Sequence, residues 1–420
     1  KFTQSSTYKV YYPGKNGNKD KVTIPATQSQ SEPNTTAHFG TSGDCGMADA
    51  SKQSNGSFAF ALDHKAAYLL FLPRTSNTIL QNCYLTKVEV SSDNNITSTY
   101  TLNPTTGELT GTGTGKQIVL TTKGSGTYAN GFPLTNNSTS AATNGSYVVI
   151  KPGTHTLKIR YWVKDFATNV EGTITKTLSS ATYDQNKYYN ITANLDVKDY
   201  DGTKYYMWDA QQNYWSGHEW NSASPWQPVL YGNSNSNYAQ NNSDPRYYND
   251  NYPGYAVSNP ATHSSCKDLP NVNELSWYCV YGDPRWDSDE LWTTMGHLYK
   301  GGMWFKKKSV LQAEGHYNTE FSADGSTDAR TIYSNYENRN SSIYYSGLPS
   351  AADAGNYFYL PALGYYNSGE LYYVGTHGSY WSSSGYPWGS TYAYHMLFYA
   401  AGVAVGRSDR DSGLRVDGFE

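Results

Sequence analysis

The stretch GSYWSSSGYPWGSTYAYHM, Gly378–Met396, sets seven aromatic or imidazole rings among nineteen residues and fills most of the rest with Gly, Ser, Thr and Ala. Tyr and Trp bring large, rigid contact area with few bonds to freeze, and small hydroxylic neighbours leave room and adaptable hydrogen bonds. The chemistry on offer is recognition by contact: rings bury apolar area or stack on sugars, while hydroxyls and amides fix orientation. The competing use of such rings is core. AYHMLF has the spacing of a strand, which predicts Tyr394 and Phe398 buried and Tyr386, Trp388, Tyr392, His395 and Tyr399 exposed as contacts.

Downstream, VGRSDRDSGLRVD alternates Arg407, Asp409, Arg410, Asp411, Arg415 and Asp417. Self-neutralising ion pairs on a solvated loop are the expected use of that pattern. The segment MWDAQQNYWSGHEWNSASPWQP carries Trp208, Trp215, Trp220 and Trp226 around His218 and Glu219, and a structural role, wedging the two halves of the chain against each other, is expected of it rather than a second groove.

Reaction chemistry is poorly served. No GxSxG elbow occurs, and GTGTGK has Thr110 where a phosphate-binding loop needs Gly and Gln117 where it needs Ser or Thr, so a turn is expected. Asp283, Asp287, Asp289 and Glu290 in DPRWDSDE lack calcium-loop spacing, and their scatter offers only a loose acid pair. Cys45, Cys83, Cys266 and Cys279 fall two in each half, which suits either two disulfides in an oxidising compartment or four buried thiols. No zinc-type cluster appears, and no metal or cofactor is expected.

The elements that must position these residues change character along the chain. Of 11 Trp only Trp162 precedes residue 200, whereas most of the 41 Tyr follow it, which places a boundary at Lys198–Thr203. Before it, THTLKIRYWV alternates Leu157, Ile159, Tyr161 and Val163, and YYNITANLDV alternates Tyr189, Ile191, Ala193, Leu195 and Val197. Each is a strand with one buried face, and Gly- and Asn-rich turns separate the strands, so a β-sandwich is expected. After the boundary, LPNVNELSWYCV predicts a helix capped by Asn271 and Glu274 with Leu275, Tyr278 and Cys279 on one face; DSDELWTTMGHLY is a second helix candidate. Long loops fill the rest.

At 420 residues with 16% charged side chains and a net charge of -4, the chain has length for two domains and no charge pattern for nucleic acid. The longest apolar run, Ala66–Leu72, is a buried strand's length and cannot cross a membrane. Low charge with abundant Tyr, Asn and Thr suits an exported protein, and a chain starting at Lys fits removal of a leader.

FALDHKAAYLLFLP (Phe60–Pro73), LTKVEVSS, YTLNPTTGELTG, VVIKPGTHTLKIRYWVKD and YDQNKYYNITANLDV, in that order and spacing, resemble the fimbrillin family of pilus and surface-adhesin β-domains of Bacteroidia. DLPNVNELSWYCV, YFYLPALGYYNSGELYYVGTHGSYWSSS and AYHMLFYAAGVAVGRSDRDSGLRVDGF look like the C-type-lectin-like fold shared by bacterial major-paralogous domains, formylglycine-generating-enzyme-like domains and retroelement variable proteins. The fold class so implied is mainly β plus α+β: a fimbrillin-like β-sandwich stem over residues 1–198, then a C-type-lectin-like head over 199–420. The second resemblance makes Trp381, Ser382, Leu397, Phe398, Arg410, Gly413, Leu414 and Val416 scaffold, and Arg407, Ser408, Asp409 and Asp411 polar ligand contacts.

Together the two resemblances imply a non-enzymatic adhesin at the tip of a pilus, or another minor subunit, exported and attached at the outer membrane. Its expected partners are a stalk or anchor subunit, joined by strand donation, and a host or bacterial surface glycan or protein. Calcium-dependent sugar binding is not expected, because the one EPN, Glu32–Asn34, lies in the stem and no WND occurs. The alternatives are a surface enzyme, glycan-active or formylglycine-generating-like, and a purely structural pilin. The cysteine chemistry of that oxidase fits poorly, since Cys266 and Cys279 bracket the helix signal, far from the aromatic segment.

Overall fold

A computed structural model describes residues 5–345, 349–417 and 419–420, which form a mainly β structure of several sheets. The chain divides into two compact units, Lys1–Val197 with Ser350–Ala352 and Lys198–Pro349 with Asp353–Glu420. Among the described residues no helix is long and apolar enough to cross a membrane.

In the first unit, Glu171–Tyr183, Gly153–Lys164, Tyr84–Ser92 and Gln117–Thr122 lie side by side and antiparallel, and Thr27–Gln30 joins the last of them in parallel. The alternation in Gly153–Lys164 leaves Leu157, Ile159, Tyr161 and Val163 fully buried on one face. That face meets a second sheet, Ser146–Ile150, Ala67–Arg74 and Lys187–Asn194, with the Phe71 ring 6.0 Å from that of Tyr161. Ala67–Arg74 is the central strand and is covered on both faces, so its apolar run is buried without interruption from Ala67 to Pro73.

Side chains close one edge of this second sheet. The Gln28 amide donates to the Val149 carbonyl (2.8 Å) and accepts from the Val149 N–H (3.0 Å); Gln30 accepts from the Tyr147 N–H (2.7 Å) and donates to the Gly145 carbonyl (2.9 Å). Two glutamines thus stand in for a neighbouring strand. At the other edge Lys187–Asn194 pairs, among the described residues, with Ala67–Arg74 alone.

All four cysteines are free and buried, which decides between the two readings of their spacing; burial pushes each thiol up to about 12.

In the second unit a six-stranded sheet runs in the order Tyr205–Tyr206, Leu414–Arg415, His377–Gly385, Tyr392–Tyr399, Gly402–Asp409, Tyr336–Asn338. The helix Val272–Tyr281 begins at a capping box: the Asn271 side chain accepts from the Glu274 N–H, and Glu274 accepts from the Asn271 N–H at 2.8 Å. Its Leu275, Tyr278 and Cys279 join Tyr394, Met396, Phe398, Val403 and Val405 of the sheet in one core. The second expected helix, Asp287–Tyr299, is instead part of a hairpin in which Arg285–Thr294 pairs with His297–Lys306. Met295 and Gly296 form its two-residue turn, both at positive φ (48° and 77°), a combination that matches the twist of paired strands. Burial of Leu291, Trp292, Thr293 and Thr294 in the sheet overrides the helical spacing of the same residues.

Candidate functional site

The register of the C-terminal hairpin sorts the expected contact residues. Tyr392 lies opposite Asp409 and Tyr394 opposite Arg407, so these four share the face of Met396 and Phe398. Ala393 lies opposite Ser408, and with His395, Leu397 and Tyr399 it occupies the other face.

The first of these faces gathers a ring cluster. Pairing of His377–Gly385 with Tyr392–Tyr399 jumps from Trp381↔His395 to Gly385↔Ala393, and Ser382, at the start of the intervening bulge, donates its hydroxyl to the Tyr394 carbonyl at 2.8 Å. The bulged edge pairs with a distant loop. Ala261 N donates to Ser383 O (2.8 Å), Gly385 N to Asn259 O (2.7 Å), and Ala256 N to Pro387 O (2.8 Å). These bonds seat Tyr255 on Trp388, rings stacked with centroids 5.6 Å apart; the two are 68% and 42% exposed. Tyr333 packs 5.2 Å from Trp388 and 5.3 Å from Tyr386. The Arg407 guanidinium lies 4.4 Å over Tyr392 and 5.4 Å from Tyr386, a cation on ring faces.

Two buried charges hold the loop that carries Tyr255. Asp209, fully buried, accepts through Oδ2 from Asn249 Nδ2 (2.7 Å), Thr262 N (2.8 Å) and Thr262 Oγ1 (3.1 Å), and through Oδ1 from His263 N (2.7 Å). Arg410, also fully buried, donates to the carbonyls of Tyr392 (2.9 Å), Asn249 (2.8 Å) and Asn251 (3.1 Å) and lies 4.3 Å over Trp208. Among the described residues no carboxylate pairs with it, and burial lowers its pKa to about 10. Each charge therefore serves as a hub for backbone groups of an irregular segment.

No family model matches this sequence, and no curated protein matches it. Solved structures similar to it include three candidate cell adhesion proteins. The one from Bacteroides ovatus is 16% identical over 45% of this chain and 62% of its own, with a TM-score of 0.28. Those from Bacteroides fragilis (11%, covering 36% and 52%, TM-score 0.22) and Bacteroides uniformis (18%, covering 45% and 67%, TM-score 0.24) are similar at the same level. The chain spans less than two thirds of the length of the first two.

Against the expected contacts, Trp388, Tyr392, Arg407 and Asp409 lie on the ring-bearing face or at its turn, with Trp388, Arg407 and Asp409 exposed and Tyr392 half-buried. Tyr386 is corrected: it is only 5% exposed, enclosed by Tyr333, Tyr392 and Tyr394, and its hydroxyl is pushed up by burial against the opposing pull of Arg407. His395 is corrected as well. It is half-buried on the other face, 3.0 Å from the Ser379 hydroxyl, and burial pushes its imidazole down to about 4. Ser408 shares that other face and is half-buried. Asp411 lies past the turn, its carboxyl raised by partial desolvation and by Asp409, and its charge acts on Tyr214 and Tyr247. Among the described residues the alternating run holds one ion pair, Arg415 with Asp417 at 2.6 Å, so it is not the self-neutralising loop that its signs suggested.

Tyr399 belongs to a separate ring group on the other face. It stacks on His377 (5.1 Å), which meets Tyr373 (4.4 Å), which in turn meets the exposed Tyr231 (6.0 Å). Tyr399, expected exposed, is half-buried; sequence reasoning named it but missed its partners His377, Tyr373 and Tyr231, along with Tyr255 and Tyr333. The signal for Tyr255 was NYPGYAV, a Pro-Gly turn that presents an aromatic residue, although nothing local paired it with Trp388. Trp208 and Trp215 are fully buried, and Trp220 and Trp226 are half-buried, in the second unit's own core. Asp283 pairs with Arg285 (2.8 Å) and accepts from the Tyr357 hydroxyl (2.6 Å), while Asp287 accepts from Trp304 Nε1 (3.0 Å) and the Asp289 N–H (3.0 Å).

Proposed function

We propose that this protein is a non-enzymatic cell-surface adhesin whose second unit, a C-type-lectin-like head, grips a host or bacterial surface glycan or protein through Tyr255, Trp388, Tyr333, Tyr392 and Arg407. The observation that carries this reading is the Tyr255–Trp388 pair. Two large rings from segments far apart in sequence are stacked and left in solvent, and the loop that carries Tyr255 is tied down at both ends by buried charges. Rings that served only folding would be covered; rings held rigid and bare are already arranged for a ligand, so little entropy is lost on contact.

In the same proposal the first unit is a fimbrillin-like stem of a pilus tip or minor subunit, exported to the outer membrane. A stalk or anchor subunit would donate a strand to it. The singly paired strand Lys187–Asn194 supports that assembly, because an unpaired edge is a template for β-augmentation.

The test compares the full chain with Trp388→Ala on arrays of glycans and of host and bacterial surface proteins. Loss of a half-exposed anchor ring should weaken binding at least tenfold with the melting temperature unchanged. Equal binding by the variant and by Tyr255→Ala would refute the assignment of the site. Turnover of any glycan would refute the non-enzymatic reading.

A further inference from the structure

The first unit, cast above as a stem, contains a cavity of its own. It measures about 300 Å³ and is lined by Thr36, Phe39, His64, Tyr68, Tyr147, Asn186, Lys187 and Tyr188. Its walls are aromatic: Phe39 stacks on Tyr68 (4.8 Å) and meets Tyr147 edge-on (5.5 Å). In the parallel pairing of Ala67–Arg74 with Lys187–Asn194, Tyr188 lies directly opposite Tyr68, so its side chain rises from the same face of the sheet at the cavity's rim. Tyr188 is 66% exposed, and among the described residues its ring packs on no other ring.

The polar groups are organised as well. The buried Asp44 carboxylate accepts from the Tyr68 hydroxyl (2.5 Å) and from His64 Nδ1 (2.7 Å) through the same oxygen. That arrangement places a proton on His64 Nδ1 and leaves Nε2 of the half-exposed ring free to hydrogen-bond at the cavity. Thr36 and the Asn186 amide add a hydroxyl and further donors and acceptors. Of the two basic groups lining the hollow, Lys187 pairs with Asp184 at 3.1 Å and His64 with Asp44 at 2.7 Å, so each has a carboxylate partner and neither is left over for an anion.

We propose that this cavity is a second binding site, for a single uncharged hexopyranose ring. Its apolar C–H face would lie on Tyr188 and Tyr147, and its hydroxyls would bond to His64 Nε2, Asn186 and Thr36. A volume at the small end of ligand sites suits one ring, and an aromatic wall with a few oriented polar groups suits a sugar better than a purely apolar or a charged ligand.

The test is calorimetric titration of the full chain with the methyl glycosides of glucose, galactose and mannose. At least one should bind, and Tyr188→Ala and His64→Ala should each weaken it about tenfold. Tyr188→Ala should leave the melting temperature unchanged, and Trp388→Ala should leave this binding intact, which separates the site from the one in the second unit. A bound glycoside together with glycans ending in the same residue marks a chain end, whereas binding of the free reducing sugar without those glycans marks a soluble sugar; either supports the site. Failure of all three glycosides and their free sugars to bind, a response confined to acidic sugars, or affinities unmoved by both substitutions would overturn it.

Discussion

Asp209 offers the sharpest check on how the ring surface is held. Its two oxygens carry unequal loads: three donors converge on Oδ2, and one, the His263 N–H, on Oδ1. In Asp209→Asn the amide NH₂ therefore settles on the His263 side, where it loses one bond to a charged acceptor and faces a buried N–H with another N–H. Hydrogen bonds to charged groups contribute roughly 1.5–3 kcal/mol and an orphaned buried donor costs about 1–3 kcal/mol, so a net loss of about 2–3 kcal/mol is expected once the loop relaxes. For a unit of this size that is a fall of roughly 4–12 °C in the corresponding melting transition. Asp209→Ala, which removes all four bonds, should cost more. Calorimetry of the full chain reads the stability, and hydrogen exchange across residues 249–263 reads the loop. The Asn variant should exchange faster there and should bind ligand more weakly although no contact residue has changed. An Ala variant that melts within 2 °C of the unaltered protein with unchanged exchange would refute the claim that a buried carboxylate organises the loop.

Two further outcomes follow from the same reasoning. His395 has its pKa depressed from 6.5 to about 4 in the folded chain, so the unfolded chain takes up its proton first as pH falls. The stability it contributes is present above about pH 6.5 and lost toward pH 4, about 1–2 kcal/mol after allowance for its partial exposure; denaturant titrations at pH 7 and pH 4.5 should show His395→Gln losing less than the unaltered protein, and equal losses would count against the burial argument. Replacing Gln28 and Gln30 together by Ala exposes the paired backbone groups of Tyr147 and Val149 to desolvation without partners, at a cost of about 2–4 kcal/mol. Their amides should lose exchange protection, and protection retained would mean that the glutamines are bystanders.

Much of the fold was legible because its signals are local. Alternation in Gly153–Lys164 requires only that its apolar face be covered, and that face is fully buried; the burial of Lys158 and Arg160 on the opposite face is what the alternation did not show. The helix Val272–Tyr281 was marked by Asn271 and Glu274, whose mutual capping depends on nothing beyond four residues. The failure at Asp287–Tyr299 is equally instructive: Leu291, Leu298 and Tyr299 have a helical spacing, but Met295-Gly296 can adopt paired left-handed conformations, and a hairpin that buries Trp292 outweighs helix propensity.

The ring surface was half legible for a physical reason. Composition says that rings are abundant but not which side of a strand each one takes, and the register sends Tyr392 and His395 to opposite faces. The most exposed ring, Tyr255, reaches Trp388 only because Gly385 and Pro387 form backbone bonds with Asn259 and Ala256 of the loop and because Asp209 and Arg410 pin its ends. In the sequence Asp209 looks like an ordinary solvated charge, and Arg410 sits inside an alternating run in which only the family resemblance set it apart as scaffold. Their effect is to bind peptide groups in the interior, which frees the loop from needing secondary structure and lets its apex project aromatic side chains. A binding surface built in this way can change its contact rings while its anchors stay fixed, so Asp209 and Arg410 should tolerate substitution less well than Tyr255 or Trp388 in any assay of folding, and no better in any assay of attachment.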